Sequence, residues 1–276
     1  MERLIEEIAR GLSVLREKKP LVHHLTNHVV MSDCADITLL AGGSPVMTLA
    51  AEEAEDMVSL ADGLVLNIGT LTSSYVDIMI SAGKTANSKG IPVLLDPVGA
   101  GATPMRTDAA ERILEEVKVD IVKGNLGEMS VLAGIEAEVR GVDSAGSSSG
   151  PAAAAREFVR RRGSTAVITG AEDYVYGGGS VFRIKNGDAM LSRLVGTGCM
   201  LGSVIACFAA VIKDRASAAC AGLVSFGIAA QLAAAKAAGP ASFKPLFFDE
   251  IFSLDSGKIL RYADIEPADG GGKFEF

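Results

Sequence analysis

The 276-residue chain has no tryptophan, only four tyrosines, four cysteines and three histidines, and aromatic residues make up 5% of it. Alanine and glycine take their place, so helices and strands can approach closely. The cysteines stand at 34, 199, 207 and 220, and none forms a C-x-x-C pair, which argues against a zinc site. Cys207 and Cys220 lie in apolar stretches and read as small core residues. Such sparse, unpaired cysteines fit a reducing cytoplasm. A basic stripe is also missing. The net charge is −8, which excludes nucleic-acid binding as a main role. The one basic cluster, "REFVRRRG" at 156–163, closes an expected helix, where cations suit the helix terminus. No long apolar run begins the chain. "MERLIEEIARGLSVLREKKP" reads as an amphipathic helix with charges of both signs and lacks the core of a signal peptide. The most apolar region, 199–238, is interrupted by "KDRAS", so neither half is expected to span a membrane.

What remains is apolar and periodic. Hydrophobic residues form 49% of the chain, ample for one large core, and we expect a single domain over 1–276 with a flexible tail from about 267. Short apolar runs such as "DGLVLNIGT" (62–70) and "IPVLLDPVGAGAT" (91–103) alternate with stretches of helical spacing such as "VVMSDCADITLLAGG" (29–43). That order predicts an α/β fold, a mostly parallel central sheet with helices on both faces. "SAGSSSGP" (144–151) reads as a polar connector, and "DYVYGGGSVFRIKNG" as a hairpin.

In such a sheet, ligands bind beyond the carboxyl ends of the strands. Four predicted strands end in "NIGT" (67–70), "DPVGAGAT" (96–103), "KGNLGE" (123–128) and "ITG" (168–170), a set that suggests a phosphorylated ligand. Asp96 leaves a strand just before a proline, as a carboxylate beside a metal or phosphate or as a turn cap. Glu128 sits in a first helical turn, where a capping box with Asn125 is ordinary. Together with Asp96 it could instead supply oxygen to a hydrated magnesium ion. Lys123 and Thr169 close their strands and either reach phosphates or face water. His23 and His24, adjacent on a strand, point to opposite faces and do not cluster with His28. "VGTGCMLGS" (195–203) reads as a loop closing onto a buried helix whose free N–H groups could face an anion. There the Cys199 thiol is expected to fall from about 8.5 towards neutrality, as suits a general base, or else simply to fill a tight contact.

With "HHLTNHVVM", "LLAGGSPVM", "DPVGAGAT", "KGNLGE", "VITGAEDYV" and "VGTGCMLGS" in this order, the chain resembles the hydroxyethylthiazole kinase family of the ribokinase-like superfamily, over nearly its whole length. The resemblance implies ATP-dependent phosphorylation of 4-methyl-5-(2-hydroxyethyl)thiazole in thiamine salvage. It implies that Asn27, Met47 and Gly196 line the thiazole pocket, and that Lys123 and Thr169 contact ATP. Asn125, Gly198, Glu128 and Asp96 would organise the phosphates and Mg2+. Cys199 would stand where most ribokinase-like enzymes carry a catalytic aspartate. A cytoplasmic homotrimer with the thiazole site between subunits is further implied. His24 stands where many relatives have asparagine. A kinase of another small hydroxymethyl heterocycle, a nucleotide-dependent dehydratase and a non-catalytic thiazole binder are the rival readings.

Overall fold

The computed structural model describes residues 1–135 and 150–268. The first helix, α1 (Glu2–Lys18), leads into β1 (Leu21–Leu25), α2 (Met31–Ala41), β2 (Ser44–Met47), α3 (Ala51–Leu60) and β3 (Gly63–Asn67). Then follow α4 (Ser73–Lys89), β4 (Val93–Asp96), α5 (Pro104–Glu116), β5 (Ile121–Asn125) and α6 (Leu126–Leu132). After the undescribed stretch come α7 (Pro151–Arg162), β6 (Thr165–Thr169), β7 (Asp173–Gly177) and β8 (Ser180–Ile184). The chain continues through α8 (Thr197–Ala209), α9 (Arg215–Ala234), α10 (Pro240–Ser253), α11 (Ser256–Tyr262) and β9 (Ile265–Pro267).

The strands form one sheet in the order β2-β1-β3-β4-β5-β6-β7-β8-β9. Strands β1 to β6 run parallel, and β7, β8 and β9 are antiparallel at one edge. Near-continuous apolar runs such as Val93–Leu95 are what a sheet covered on both faces requires. Helices α1, α2 and α8 to α11 cover one face, and α3 to α7 the other. Two separate hydrophobic clusters result, one per face. Helix α9 is long and apolar enough to cross a membrane, but 89% of its most apolar window is buried in the protein, so its composition serves the core.

Several boundaries differ from the sequence reading. The helix expected over 29–43 is α2, two residues shorter at each end, stopped by Gly42 in a left-handed conformation (φ 114°). The polar connector lies outside the described residues except for Gly150 and Pro151, and Pro151 already belongs to α7, where proline suits the first turn. Pro267, expected in a flexible tail, closes β9 against β8. Three residues after a helix carry too little periodicity to announce a strand.

The period of two along the strands decides what meets what at the carboxyl end. In β3, Val65 faces the α8 side and Leu64 and Leu66 the opposite side. Asn67 therefore returns to the α8 side. The same count applied to β4 (Leu94 on the α8 side) and β5 (Ile121 on the α8 side) brings Asp96 and Lys123 to that side too. In β1, His24 faces α2 and α8, bonding Thr38 and Ser203, while His23 faces the other way and bonds Thr48.

A candidate active site at the carboxyl ends of the strands

Across β2, β1, β3, β4, β5 and β6, neighbouring strands end in Met47, then Asn27 just beyond Leu25, Asn67, Asp96, Asn125 and Thr169. Register holds Asn67 beside Asp96 and Asn125 beside Thr169. The chain order reverses at β1, which is where a doubly wound sheet opens a crevice.

The centre of this row is a buried polar chain. Asn27 donates from Nδ2 to Asn67 Oδ1 (2.9 Å), and Asn67 donates from Nδ2 to Asp96 Oδ2 (2.9 Å). The Lys123 ammonium reaches the same Asp96 oxygen at 3.0 Å and donates to the Gly198 carbonyl at 3.0 Å. Lys123 is only 4% exposed, which removes the solvated alternative. Burial lowers the affinity of its amine for a proton, but Asp96, Cys199 and Glu128 together outweigh this, Asp96 most of all, and raise the Lys123 pKa.

Above the chain sits the start of α8. Gly196 precedes it with φ 84°, a left-handed conformation that favours glycine. A Cβ there would lie 2.2 Å from Val30 Cγ1, so the turn is also too close for any side chain. No side chain caps the first N–H groups of α8, and Thr197 turns its hydroxyl to the Leu191 carbonyl (3.1 Å) instead. Uncapped N–H groups and the positive end of the helix make this turn suited to an anion.

Cys199 lies in this turn, half-buried, its sulfur accepting a hydrogen bond from Asn27 Nδ2 (3.4 Å). The expected fall in its pKa does not occur. Burial and then the Asp96 carboxylate push the thiol up, against the smaller opposing pull of Lys123, Asn67 and Asn27. Burial and the nearby carboxylate thus keep Cys199 a neutral thiol.

Glu128 and Asn125 form the capping box of α6. The Asn125 side chain accepts from the Glu128 N–H (2.9 Å), and Glu128 Oε2 accepts from the Asn125 N–H (2.8 Å). Glu128 Oε1 accepts from the Gly99 N–H at 2.7 Å and so ties β5 to the "DPVGAGAT" loop. Burial raises the pKa of Glu128, partly countered by these amide donors. Thr169 Oγ1 donates to the Gly124 carbonyl (3.4 Å). Beside them opens a cavity of about 850 Å3, lined in part by Asn125, Thr169, Asp173, Asn186, Thr197 and Gly198. A nucleotide-sized ligand suits this volume.

Asn27, Asn67, Asp96, Lys123, Gly198 and Cys199 thus form one bonded group, and Asn125, Gly198 and Thr169 line the cavity beside it. Met47 stands apart, half-buried at the end of β2 and opposite His24 in register. Among the described residues no group of three or more His, Cys, Asp or Glu side chains could cage a metal. Asp96 and Glu128 do fit a magnesium ion that keeps most of its water and arrives with phosphates, since that ion needs only one or two carboxylates from the protein.

Sequence reading missed Asn67, Arg106 and Asp173. The Arg106 guanidinium donates to the carbonyls of Ile68 (3.2 Å), Gly69 (2.9 Å) and Val98 (2.7 Å), and so joins the loops after β3 and β4. Asp173 accepts from the Gly170 N–H (3.0 Å) in the turn after Thr169.

Residues 12–257 match the hydroxyethylthiazole kinase family. The chain is 50% identical over 257 residues to the hydroxyethylthiazole kinase of Thermoanaerobacter sp. (strain X514), covering 92% of this chain and 98% of that one. The structure of a hydroxyethylthiazole kinase protein from Pyrococcus horikoshii OT3 superposes with a TM-score of 0.86 at 39% identity, over 95% of this chain and 99% of that one. A ribokinase-like superfamily protein from Enterococcus faecalis V583 shares the fold alone, with a TM-score of 0.65 at 14% identity over 93% of this chain and 95% of that one.

Proposed function

The chain belongs to the hydroxyethylthiazole kinase family, and from that membership we propose how its own residues carry out the reaction. The enzyme transfers the γ-phosphoryl group of ATP to the primary alcohol of 4-methyl-5-(2-hydroxyethyl)thiazole. A new P–O bond forms to the alcohol oxygen, the bond to the β-phosphate bridging oxygen breaks, ADP leaves, and the hydroxyl proton is released. The observation that carries this reading is the buried row Asn27–Asn67–Asp96–Lys123 set against the uncapped first turn of α8.

We assign Asn27, Met47 and Gly196 to the thiazole and the 850 Å3 cavity with Asn125, Thr169 and Gly198 to the nucleotide. The transition state of phosphoryl transfer is loose, with charge on the equatorial oxygens, so placement and a positive field do most of the work. The N–H groups of the α8 turn and the Lys123 ammonium supply that field from the protein. Asp96 and Glu128 would hold Mg2+, which when bound neutralises the phosphates. We assign Cys199 to the acceptor hydroxyl. As a neutral thiol it is a poor base at the outset, and a loose transition state asks for little deprotonation. Its contribution therefore falls at or below the lower end of general-base catalysis, about 100-fold.

The exposed apolar side chains Val29 (67%), Leu49 (50%) and Val195 (75%) stand at the same end of the sheet. They support a homotrimer in which a neighbouring subunit closes the thiazole pocket, with residues 1–276 acting as one cytoplasmic kinase domain per chain.

The purified protein, mixed with Mg·ATP and the thiazole alcohol, should yield the phosphate ester by mass. Cys199→Ala should retain measurable turnover. Absence of ester from the wild type would sink the kinase reading, and total loss in the variant would restore Cys199 as an essential base. Light scattering on the same sample should give the mass of three chains, and any other mass removes the trimer.

A further inference from the structure

Asn67 belongs to no role assigned above, yet every polar atom of its side chain is engaged. It is 2% exposed. Its oxygen accepts from the Gly69 N–H (3.0 Å) as well as from Asn27. A backbone N–H can only donate, so the Asn67 oxygen must face Gly69 and its NH2 group must face Asp96. The same logic orients Asn27, whose oxygen accepts from the Val29 N–H at 3.1 Å, leaving its NH2 for Asn67 and the Cys199 sulfur. Two backbone amides thus set the polarity of the whole line, from Asn27 through Asn67 into Asp96. The close fit also explains the glycine of "NIGT": a Cβ at 69 would lie 2.9 Å from both Cβ and Nδ2 of Asn27.

Asp96 Oδ2 is then held from two sides, by the Asn67 amide and by the Lys123 ammonium. Oδ1 receives none of the hydrogen bonds from the described residues. We propose that Asn67 is a positioning residue for phosphoryl transfer: its carboxamide locks the Asp96 carboxylate in one orientation with Oδ1 free, and rigidly couples that carboxylate to the Asn27 end of the site. This rests on the kinase reading for the meaning of Asp96, but the bond itself is testable without it.

Asn67→Asp is the discriminating variant. An aspartate has the same size, and still accepts from Gly69 and Asn27, but turns an oxygen towards Asp96 Oδ2 where the amide stood. Misplacing a reacting group by about 1 Å costs about 100-fold. We expect kcat to fall by about that factor, while thiazole affinity measured by calorimetry without nucleotide stays within about threefold, the Asn27 contact being kept. Asn67→Leu, which removes all three bonds at similar volume, should lose both. A kcat for Asn67→Asp within about threefold of the wild type overturns the proposal. So does a loss of thiazole affinity as large as the loss of kcat, which would mark a structural role. Should the variants not fold, the wild type carries the test. In the 15N-labelled wild type, the Asn67 side-chain amide protons should resonate downfield and exchange slowly. Amide protons that exchange at the solvent rate overturn the proposal. If the wild type makes no ester, the kinase reading fails on its own, and this arm still decides whether the Asn67–Asp96 bond exists.

Discussion

Two groups of opposite charges in this protein have nearly the same bond lengths and different surroundings. At the carboxyl end of the sheet, Asp96 and Lys123 meet at 3.0 Å with side chains 2% and 5% exposed. On the outer surface of α4 and α5, Lys84, Glu116, Arg112 and Asp77 form a chain with contacts of 2.6 to 2.9 Å and side chains 34% to 60% exposed. Water screens the second group, whose attractions barely exceed the cost of ordering four long side chains. Each ion of the first group has lost its hydration, and only its partner and the surrounding dipoles replace it. Distance alone does not distinguish a structural ornament from a functional centre; burial does.

The sharpest way to break the comparison is to neutralise one buried partner. Asp96→Asn leaves the Lys123 ammonium buried with an amide in place of a carboxylate. We expect a loss of about 3–5 kcal/mol in stability and a fall in kcat of about 1,000-fold or more, since the variant also lacks the charge assigned to the metal. Urea unfolding and ester formation measure the two effects. Stability within error of the wild type would show that water reaches Lys123, and that the pair belongs with the surface group after all.

The two groups also differ in how far the sequence exposes them. The α/β order, the parallel strands and the four strand ends that carry the site are legible because apolar runs and helical spacing alternate regularly. Asp96 and Lys123 are visible as strand-closing charges. Asn67, which bonds Asp96, is not, since an asparagine before Ile-Gly-Thr reads as a turn residue. Strand parity in the fold puts it on the same face as Asp96, but both runs are buried on both sides, so the sequence alone does not say which face either residue takes. Arg106 is less accessible: three carbonyls from two loops converge on it only through the fold. The Cys199 expectation fails for a related reason. A helix start is visible in sequence, but the burial that opposes it is not.

Buried groups that are not ion-paired sharpen the comparison through pH. Burial lowers both His23 and His24 to about 4. Above about 6.5 both are neutral whether folded or not. As pH falls from about 6.5 to about 4, the unfolded chain takes up protons that the fold refuses, so stability is full above that window and declines through it. The decline is about 3 kcal/mol per histidine. Asp173, raised to about 6 by burial, acts in the opposite sense, its penalty easing as pH falls from about 6 towards its unfolded value near 4. We expect His24→Asn to flatten the stability–pH curve by one histidine's share between about pH 6.5 and 4. A curve parallel to the wild type would mean that His24 protonates in the folded protein, with Ser203 or Thr38 turning to accept.

The smallest effect belongs to the surface chain. Glu116 bonds both Lys84 and Arg112, and these contacts lower its pKa. That lowering says little about stability, because the carboxylate is open to solvent and its charge is hydrated in either state. Glu116→Gln should leave the melting midpoint within the reproducibility of the measurement, and kcat unchanged. Added salt should act on the wild type in the same direction and to the same small extent, since it screens exposed pairs and hardly reaches the buried one. If Glu116→Gln instead destabilised the protein as much as Asp96→Asn, the four surface charges would have to act as a cooperative network spanning α4 and α5. Exposure would then no longer separate the two groups.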